Sequence, residues 1–394
     1  MPPAMPASPE RLAPAAMLAR LVAFDTVSAR SNLALIEFVK NFLASHGVEA
    51  RILRSPDGAK ANLLATIGPT REGGVILSGH TDVVPVEDQP WTGDPFRLEA
   101  RDGRLYGRGS ADMKGFIAVA LALAPEFLAA GLKRPIHLAF SHDEEVGCRG
   151  VPALIAAIAR ELPRPALAIV GEPTEMRLAN RHKGIYGFET VVTGRDGHSS
   201  APDAGLNAIM AAAEILGFLD RLAAEFRESG PFDTGFQPPH TTLNVGEIAG
   251  GTALNIVARQ CRIRWEFRPV PDHAPDLIRA RLDRFVGQDL LPRLKARAAE
   301  AAVETRALAC VPGLRPEVAS PAEALVRHLT GLNEAIGVAF TTEAGLFQEA
   351  GFPAVVIGPG SIAQAHQPDE FVEESQLEAC ARFLRRLAQW AAEG

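Results

Sequence analysis

The sequence predicts an α/β protein with a mostly parallel sheet, interrupted by a smaller α+β insert of ferredoxin-like type. Two observations predict this fold class. In the first part of the chain, short apolar runs typical of buried strands alternate with segments whose apolar residues recur at helical spacing. From about residue 183 the order becomes strand, helix, two strands, helix and strand, and the earlier alternation resumes near residue 311. We therefore expect one domain formed by 1–182 and 311–394 and an inserted domain formed by 183–310.

The composition is that of an ordinary globular protein. Of its 394 residues 47% are hydrophobic and 22% are charged, enough to bury a large core. The net charge of −7 argues against a general binder of nucleic acid or of anionic membranes. Four cysteines lie far apart without a C-x-x-C pair, which indicates reduced thiols in a cytosolic protein rather than a thiolate zinc site. Met1–Pro14 lacks the pattern of a signal peptide, and no apolar run is long enough to predict a transmembrane helix.

Each predicted element follows from its local pattern. Apolar residues at helical spacing, ended by Gly or Pro, predict helices. Short apolar or alternating runs bounded by turn residues predict strands. The predicted helices are 15–22, 32–45, 116–132, 151–160, 207–226, 274–286, 322–335 and 373–391. The predicted strands are 50–53, 62–66, 74–78, 135–141, 166–170, 184–193, 241–248, 255–267, 303–310 and 354–357.

Ionisable residues follow the predicted strands of the first domain at the points where those strands end. Because parallel strands end at the same edge of a sheet, we expect these side chains to cluster. They are His80, Asp82, Asp112, Glu144, Glu145 and Glu172. Taken singly, each has an ordinary structural explanation, such as a hydrogen-bonded histidine or a solvated loop. Their repeated position after strands favours a shared site.

Histidine and carboxylate ligands without cysteine suit a pair of divalent metal ions such as zinc. A carboxylate can bridge two such ions, and one further acidic residue is then needed to move protons. The glycine-dense loop Gly107–Gly115 could instead cradle a phosphate. However, it lacks the G-x-G-x-x-G spacing, and Lys114 lacks the Ser or Thr partner of a P-loop. The loop therefore indicates a tight turn that presents Asp112 near the start of a helix.

Five stretches of the chain resemble the M20 family of metallo-aminoacylases and peptidases. They occur in the family's order from end to end, with the insert in the family's place. Together they are specific to the family. The stretches are Ser78–Asp82, Gly107–Gly115, Asp143–Gly147, Gly171–Thr174 and Gly358–Glu370.

The resemblance implies a role for each matching residue of the metal site. One metal ion would be bound by His80, Asp112 and Glu172. The second would be bound by Asp112, Glu145 and His366, with Asp112 bridging the two. Glu144 would act as general base and then as the acid that protonates the leaving amine. Asp82 would orient His80.

The resemblance also implies roles for residues of the insert. His198 would reach across a dimer interface to polarise the scissile carbonyl, and Asn255 and Arg268 would hold a substrate carboxylate. The insert would accordingly serve as a dimerisation and lid domain. Some relatives carry paired arginines where this chain has His182-Lys183, which leaves carboxylate recognition at that position open.

The activity implied by the resemblance is hydrolysis of the acetyl amide of N2-acetyl-L-ornithine, a step of arginine biosynthesis, by a cytoplasmic homodimer with two zinc or cobalt ions. Two alternatives stay open at this stage. Within the family, the substrate could be succinyl-diaminopimelate, another N-acyl amino acid or a dipeptide. Outside it, the chain could be a non-catalytic metal-binding or amino-acid-binding protein, although such a protein has no need of Glu144 beside Glu145.

Overall fold

A computed structural model describes residues 11–393 of the chain, which form two compact units. The first unit extends to Arg181 and resumes over Leu314–Ile336 and from Thr342 onward. The second unit comprises His182–Gly313 and Gly337–Thr341. The expectation that no signal peptide begins the chain concerns Met1–Pro14, of which residues 1–10 lie outside the described residues. Within the described part of the chain, no helix is both long and apolar enough to cross a bilayer.

The helices and strands follow one another along the chain as follows. The helices are α1 Pro14–Val22, α2 Leu33–Ser45, α3 Lys114–Ala122, α4 Ala124–Ala129, α5 Val151–Glu161, α6 Ala208–Ser229, α7 Pro275–Arg284, α8 Leu291–Arg297, α9 Pro321–Thr330, α10 Ala344–Glu349 and α11 Glu374–Glu393. The strands are β1 Ala50–Arg54, β2 Ala61–Ile67, β3 Val75–His80, β4 Glu99–Arg101, β5 Arg104–Tyr106, β6 Ile136–Ser141, β7 Leu167–Val170, β8 Ala179–His182, β9 Ile185–Thr193, β10 Thr242–Gly250, β11 Gln260–Arg268, β12 Ala302–Val311, β13 Ile336–Val338, β14 Ala354–Val356 and β15 Phe371–Glu373.

The first unit is built on an eight-stranded sheet with the order β1-β2-β6-β3-β7-β14-β8-β13. Its four central strands, β6, β3, β7 and β14, run parallel, and antiparallel pairs flank them. Every residue of β3 and β6 is buried, because both faces of the sheet are covered. The predicted α/β fold class with a mostly parallel sheet is therefore confirmed.

A small three-stranded sheet, in the order β15-β5-β4, joins two distant segments of the first unit. Phe371 lies opposite Tyr106 in the antiparallel pairing of β15 with β5. The ladder continues beyond the strand as a hydrogen bond from the amide of Gly107 to the carbonyl of Glu370, at 2.8 Å. This pairing brings the segment that contains His366 beside the glycine-dense loop that contains Asp112.

The second unit has a four-stranded antiparallel sheet with the order β10-β11-β9-β12. Residues of β11 alternate, so that Cys261, Ile263, Trp265 and Phe267 are buried. They pack in one core cluster with the apolar stripe of α6 and with residues of α7 and α8. The order β9, α6, β10, β11, α7, β12 confirms the predicted α+β insert of ferredoxin-like type.

Three predicted elements differ from the structure for local reasons. The helix predicted over 116–132 is two helices, because Pro125 has no N–H to continue the hydrogen bonds of α3. The strand predicted from residue 255 begins at Gln260, because Val257 and Ala258 bond to loop and helix-end backbone instead of to β10. The helix predicted over 322–335 ends at Thr330, where Gly331 has a φ of 76° and ends it in the left-handed conformation.

Candidate active site

The ends of three neighbouring parallel strands bring the predicted residues of the first unit together. His80 is the last residue of β3, and in the pairing with β6 it lies opposite Ser141. The loop with Glu144 and Glu145 therefore begins at the same edge as His80. Glu172 follows β7, which pairs with β3 on its other side. The cluster that the sequence predicts from strand ends is thus formed by the topology of the sheet.

His80, Asp112 and Glu172 form one group that could hold a metal ion. Their ligand atoms all lie within 4.8 Å of one another, and all three residues are buried. Nε2 of His80 is 3.0 Å from Oδ1 of Asp112 and 3.7 Å from Oε1 of Glu172. The imidazole nitrogen therefore faces both carboxylates, as ligands of one ion would.

Asp112, Glu145 and His366 form a second such group, also within 4.8 Å. Nε2 of His366 is 3.1 Å from Oε2 of Glu145 and 3.4 Å from Oδ2 of Asp112. Asp112 therefore turns one carboxylate oxygen toward His80 and the other toward His366. This arrangement matches what a carboxylate that bridges two ions requires.

The loop that presents Asp112 is held by the buried carboxylate of Glu370. Oε1 of Glu370 accepts the backbone N–H groups of Ala111 and Asp112 at 2.9 and 3.0 Å. Oε2 accepts the N–H of Gly109 at 3.0 Å and Nη1 of Arg108 at 2.8 Å. Four donors thus fix this carboxylate, and the carboxylate in turn fixes the backbone that leads into Asp112.

Asp82 makes different contacts from those expected of it. Its carboxylate is 3.6 Å from Nδ1 of His80, whereas the carbonyl oxygen of Asp82 lies 2.9 Å from that nitrogen. The carboxylate instead accepts the backbone N–H groups of Glu144 and Glu145, at 3.1 and 3.3 Å, and the hydroxyl of Ser28 at 2.7 Å. Asp82 therefore orients His80 through its backbone and holds the Glu144–Glu145 loop through its side chain.

Glu144 lies outside both candidate ligand groups although it is adjacent to Glu145. The thiol of Cys148 is 3.4 Å from its Oε1. Burial raises the pKa of Glu144 well above the usual range of a carboxyl, and the negative charges of Glu145 and Asp112 raise it further. A raised pKa favours retention of a proton by this carboxyl, and a group that takes and returns a proton needs this property.

The electrostatics of the cluster favour bound cations. Burial, followed by the charge of Asp112, raises the pKa of Glu145 to about 7, and burial also raises the pKa of Glu172. The contacts with Asp112 and Glu145 raise the pKa of His366 to about 10. The four crowded carboxyls of Asp112, Glu144, Glu145 and Glu172 thus outnumber the two imidazoles of His80 and His366 that face them. This nitrogen and oxygen donor set fits two divalent metal ions.

In the second unit, the structure brings His198 and Asn255 together. An isolated bridge pairs His198 with Ile256, and the carbonyl of Asn255 accepts the N–H of Ser199 at 3.1 Å. Nδ1 of His198 accepts the backbone N–H of Ser200 at 3.1 Å. Nδ1 also lies 2.7 Å from the hydroxyl of Ser200, which can donate to it as well. A neutral imidazole that accepts at Nδ1 carries its proton on Nε2, and His198 is an exposed residue.

Arg268 is not brought to Asn255 within one chain. Asn255 precedes β11 and Arg268 ends it, so the strand, with a rise of about 3.4 Å per residue, separates them. Nε of Arg268 donates to Glu266 at 3.0 Å. Lys183 is buried and donates to the carbonyls of Pro238 and His240, at 2.8 and 2.7 Å, so its ammonium fixes a loop.

Three residues to which the sequence assigns no role also make contacts in this site, namely Glu343, Ser28 and Cys148. Glu343 accepts the hydroxyls of Ser78, at 3.0 Å, and of Ser141 beside the end of β3. Ser28 holds the carboxylate of Asp82 from the loop after α1, and Cys148 contacts Glu144. Only Cys148 lies next to a quoted motif. The other two come from loops with no pattern; the sequence places Glu343 near the site but assigns a role to neither residue.

Comparison with known proteins gives the family of this chain. The model of Peptidase family M20/M25/M40 matches residues 76–390. The chain belongs to this family. It is 39% identical over 380 residues to an acetylornithine deacetylase of Myxococcus xanthus, covering 94% of this chain and 95% of that one. It is 34% identical to an acetylornithine deacetylase of Pasteurella multocida, with 94% and 96% covered.

The fold has a counterpart among solved structures. An M20 family metallo-carboxypeptidase from Sulfolobus solfataricus superposes with a TM-score of 0.74 at 19% identity, covering 96% of this chain and 98% of that chain. At this identity the likeness shows the fold alone. The predicted membership of the M20 family is therefore confirmed by the family model and by the relatives.

The contacts of Asp82 generate a test of its side chain. We expect Asp82→Asn to weaken Zn²⁺ binding by about tenfold or more, because an amide NH₂ would face an N–H donor and release the Glu144–Glu145 loop. The measurement is a calorimetric titration of metal-stripped protein. The control is Asp94→Asn, since Asp94 also accepts a backbone N–H, from Phe96 at 2.9 Å, on an exposed loop. Equal affinities of the two variants would contradict the assignment.

Proposed function

We propose that this chain is an amidohydrolase that removes the acetyl group of N2-acetyl-L-ornithine, giving L-ornithine and acetate as a step of arginine biosynthesis. The observation that carries the chemistry is the pair of ligand groups that share the buried Asp112, with Glu144 beside them and outside both. The substrate is supported by the two relatives that carry the name acetylornithine deacetylase over more than nine-tenths of this chain. The first unit would be the catalytic domain.

Two divalent metal ions, zinc or cobalt, would be held by the two ligand groups described above. When bound, such a pair polarises a carbonyl and makes water acidic enough to attack it near neutral pH. Asp112 would contact both ions, since its two oxygens face different groups. Glu172 and His80 would complete one position, and Glu145 and His366 the other.

Glu144 would carry the proton transfer. It would take a proton from the water that attacks the amide carbonyl and give it to the leaving α-amino nitrogen as the C–N bond breaks. The raised pKa of Glu144 supports this role, because a carboxyl that is too acidic would not hold the proton between the two steps. The bonds from the backbone N–H groups of Glu144 and Glu145 to Asp82 would keep the base and the ligand in fixed relative positions.

His198 would stabilise the developing oxyanion through its Nε2–H. The bond from Ser200 to Nδ1 supports this tautomer. We propose that His198 acts on the active site of a partner copy and that the second unit is the dimerisation and lid domain. Asn255 and Arg268 would bind the substrate carboxylate. The carbonyl of Asn255 accepts the backbone N–H of Ser199, the residue next to His198. Free cysteines at 148, 261, 310 and 380 suit a cytoplasmic location.

The proton-transfer role is tested with Glu144→Gln. We expect kcat to fall by about 10²- to 10⁴-fold with two metal ions still bound, because the amide cannot accept the proton. Steady-state hydrolysis and metal analysis of the same sample are the measurements. Asp143→Asn is the matched control, since the neighbouring carboxylate bonds instead to Lys60 and lies 3.1 Å from Nδ1 of His142. A Glu144→Gln protein with most of its activity would require a different base.

The metal and the substrate are tested together. We expect metal-stripped protein to be inactive on N2-acetyl-L-ornithine and to regain turnover as zinc or cobalt is added. We also expect kcat/KM for this substrate to exceed that for N-succinyl-diaminopimelate at least tenfold, a difference of about 1.4 kcal/mol in transition-state binding. Metal-dependent activity that prefers the succinylated substrate would keep the mechanism and overturn the substrate assignment.

The role of His198 across a dimer predicts complementation. Glu144→Gln and His198→Ala should each be nearly inactive alone. In a re-associated mixture, one site of each mixed dimer would combine an intact Glu144 with an intact His198 from the partner copy. We therefore expect about a quarter of the wild-type activity, given random pairing in a symmetric dimer. A mixture that remains inactive although it forms mixed dimers would place His198 in its own chain's site.

A further inference from the structure

His366 differs from the other candidate metal ligands in how the chain presents it. His80 and Glu172 follow buried strands of the sheet and are themselves buried. His366 lies in a loop, its side chain is 51% exposed, and its φ of 63° is in the left-handed region. That backbone conformation is disfavoured for a residue other than glycine. The position of this imidazole therefore depends on contacts made by its loop.

Gln89 makes such a contact with the backbone of His366 itself. Nε2 of Gln89 donates to the carbonyl oxygen of His366 at 3.0 Å. Its Oε1 accepts a hydrogen bond from the guanidinium of Arg108 and one from Nε1 of Trp91, the latter at 3.2 Å. Because both partners of Oε1 can only donate, the orientation of the amide is fixed, and its NH₂ group must point toward His366.

Arg108 gives this amide a rigid support. It is 1% exposed and bonds to Glu370 at 2.8 Å and to the carbonyl of Gln367 at 3.2 Å. Its guanidinium also lies over the ring of Trp91, 4.9 Å from the centroid. Glu370 is the residue that fixes the backbone of Asp112. The contact of Gln89 with His366 is therefore anchored to the same buried ion pair that positions the shared ligand.

We propose that Gln89 is a positioning residue that holds the His366 loop and thereby sets the metal affinity of the Asp112–Glu145–His366 group. The proposal rests on the metal-binding part of the proposed function. Loss of the bond to the His366 carbonyl leaves the imidazole on a loop with a disfavoured backbone conformation. Binding then has to order that loop, and this cost lowers affinity. The His80–Asp112–Glu172 group contains no residue of that loop, so its affinity stays unchanged.

Glutamine is suited to this position because one side chain must accept and donate at once. The carboxylate introduced by Gln89→Glu can still accept from Arg108 and Trp91, but it has no N–H for the carbonyl of His366. The isobutyl side chain introduced by Gln89→Leu loses both contacts. The Gln89→Glu variant therefore separates the bond to His366 from the support of Arg108.

The test is a titration of metal-stripped full-length protein with Co²⁺, followed by calorimetry and by visible absorption. We expect wild type to bind two equivalents. Gln89→Glu and Gln89→Leu should both keep the first equivalent and bind the second about tenfold more weakly, in the range found when outer partners of metal ligands are removed. Gln348→Leu is the matched control, because Gln348 ties a loop through the backbone of Arg315 and should behave as wild type.

Three other outcomes would overturn the proposal, and they are distinguishable. A Gln89→Glu protein that binds both equivalents as wild type does would show that the bond to His366 is not needed. Equal weakening of both equivalents would show a general structural role instead of a local one. A wild-type protein that binds fewer than two equivalents would overturn the metal centre of the proposed function as well, whereas the first two outcomes would leave it intact.

Discussion

The burial of several carboxylates at one edge of a parallel sheet is the constraint on which the rest of this structure depends. Burial disfavours the charged form of Asp112, Glu144, Glu145 and Glu172, and for the three glutamates the neighbouring carboxylates disfavour it further. Such a cluster persists only if cations bind there or protons are retained. Asp112 illustrates the first case, since its contacts with His366 and His80 outweigh burial and hold its pKa well below the usual range.

Two further carboxylates, those of Asp82 and Glu370, hold the residues of this cluster in a defined geometry. Asp82 and Glu370 point their oxygens at backbone N–H groups, Asp82 behind Glu144 and Glu145, and Glu370 behind Asp112. A carboxylate that accepts several N–H groups fixes the backbone more firmly than a single neutral bond does. The carboxyls of the cluster are thus held by two further acids, each of which is satisfied by its own hydrogen-bond donors.

The sequence predicts the residues of the cluster itself better than it predicts the contacts of the residues that hold the cluster in place. His80 and Glu172 could be placed because each follows an apolar run, and parallel strands carry such residues to one edge. The expectation for Asp82 concerned His80, whereas the side chain binds a loop that precedes α5, and a motif does not show which atoms a carboxylate will face. Gln89 lies in a loop without periodicity, and its partner His366 is far along the chain, so only the folded structure brings them together.

The two ligand groups also differ in where their residues lie along the chain. His80, Asp112 and Glu172 all precede the insert, and two of them are fixed by strands that pair directly with one another. The other group needs His366, which follows the insert and is carried on a loop beside β15. A group made from adjacent strand ends is rigid before any ligand arrives, while a group completed by a loop depends on contacts such as that of Gln89. The two groups are therefore supported unequally because of the order of the elements along the chain. The group that depends on additional loop contacts is the one that contains His366.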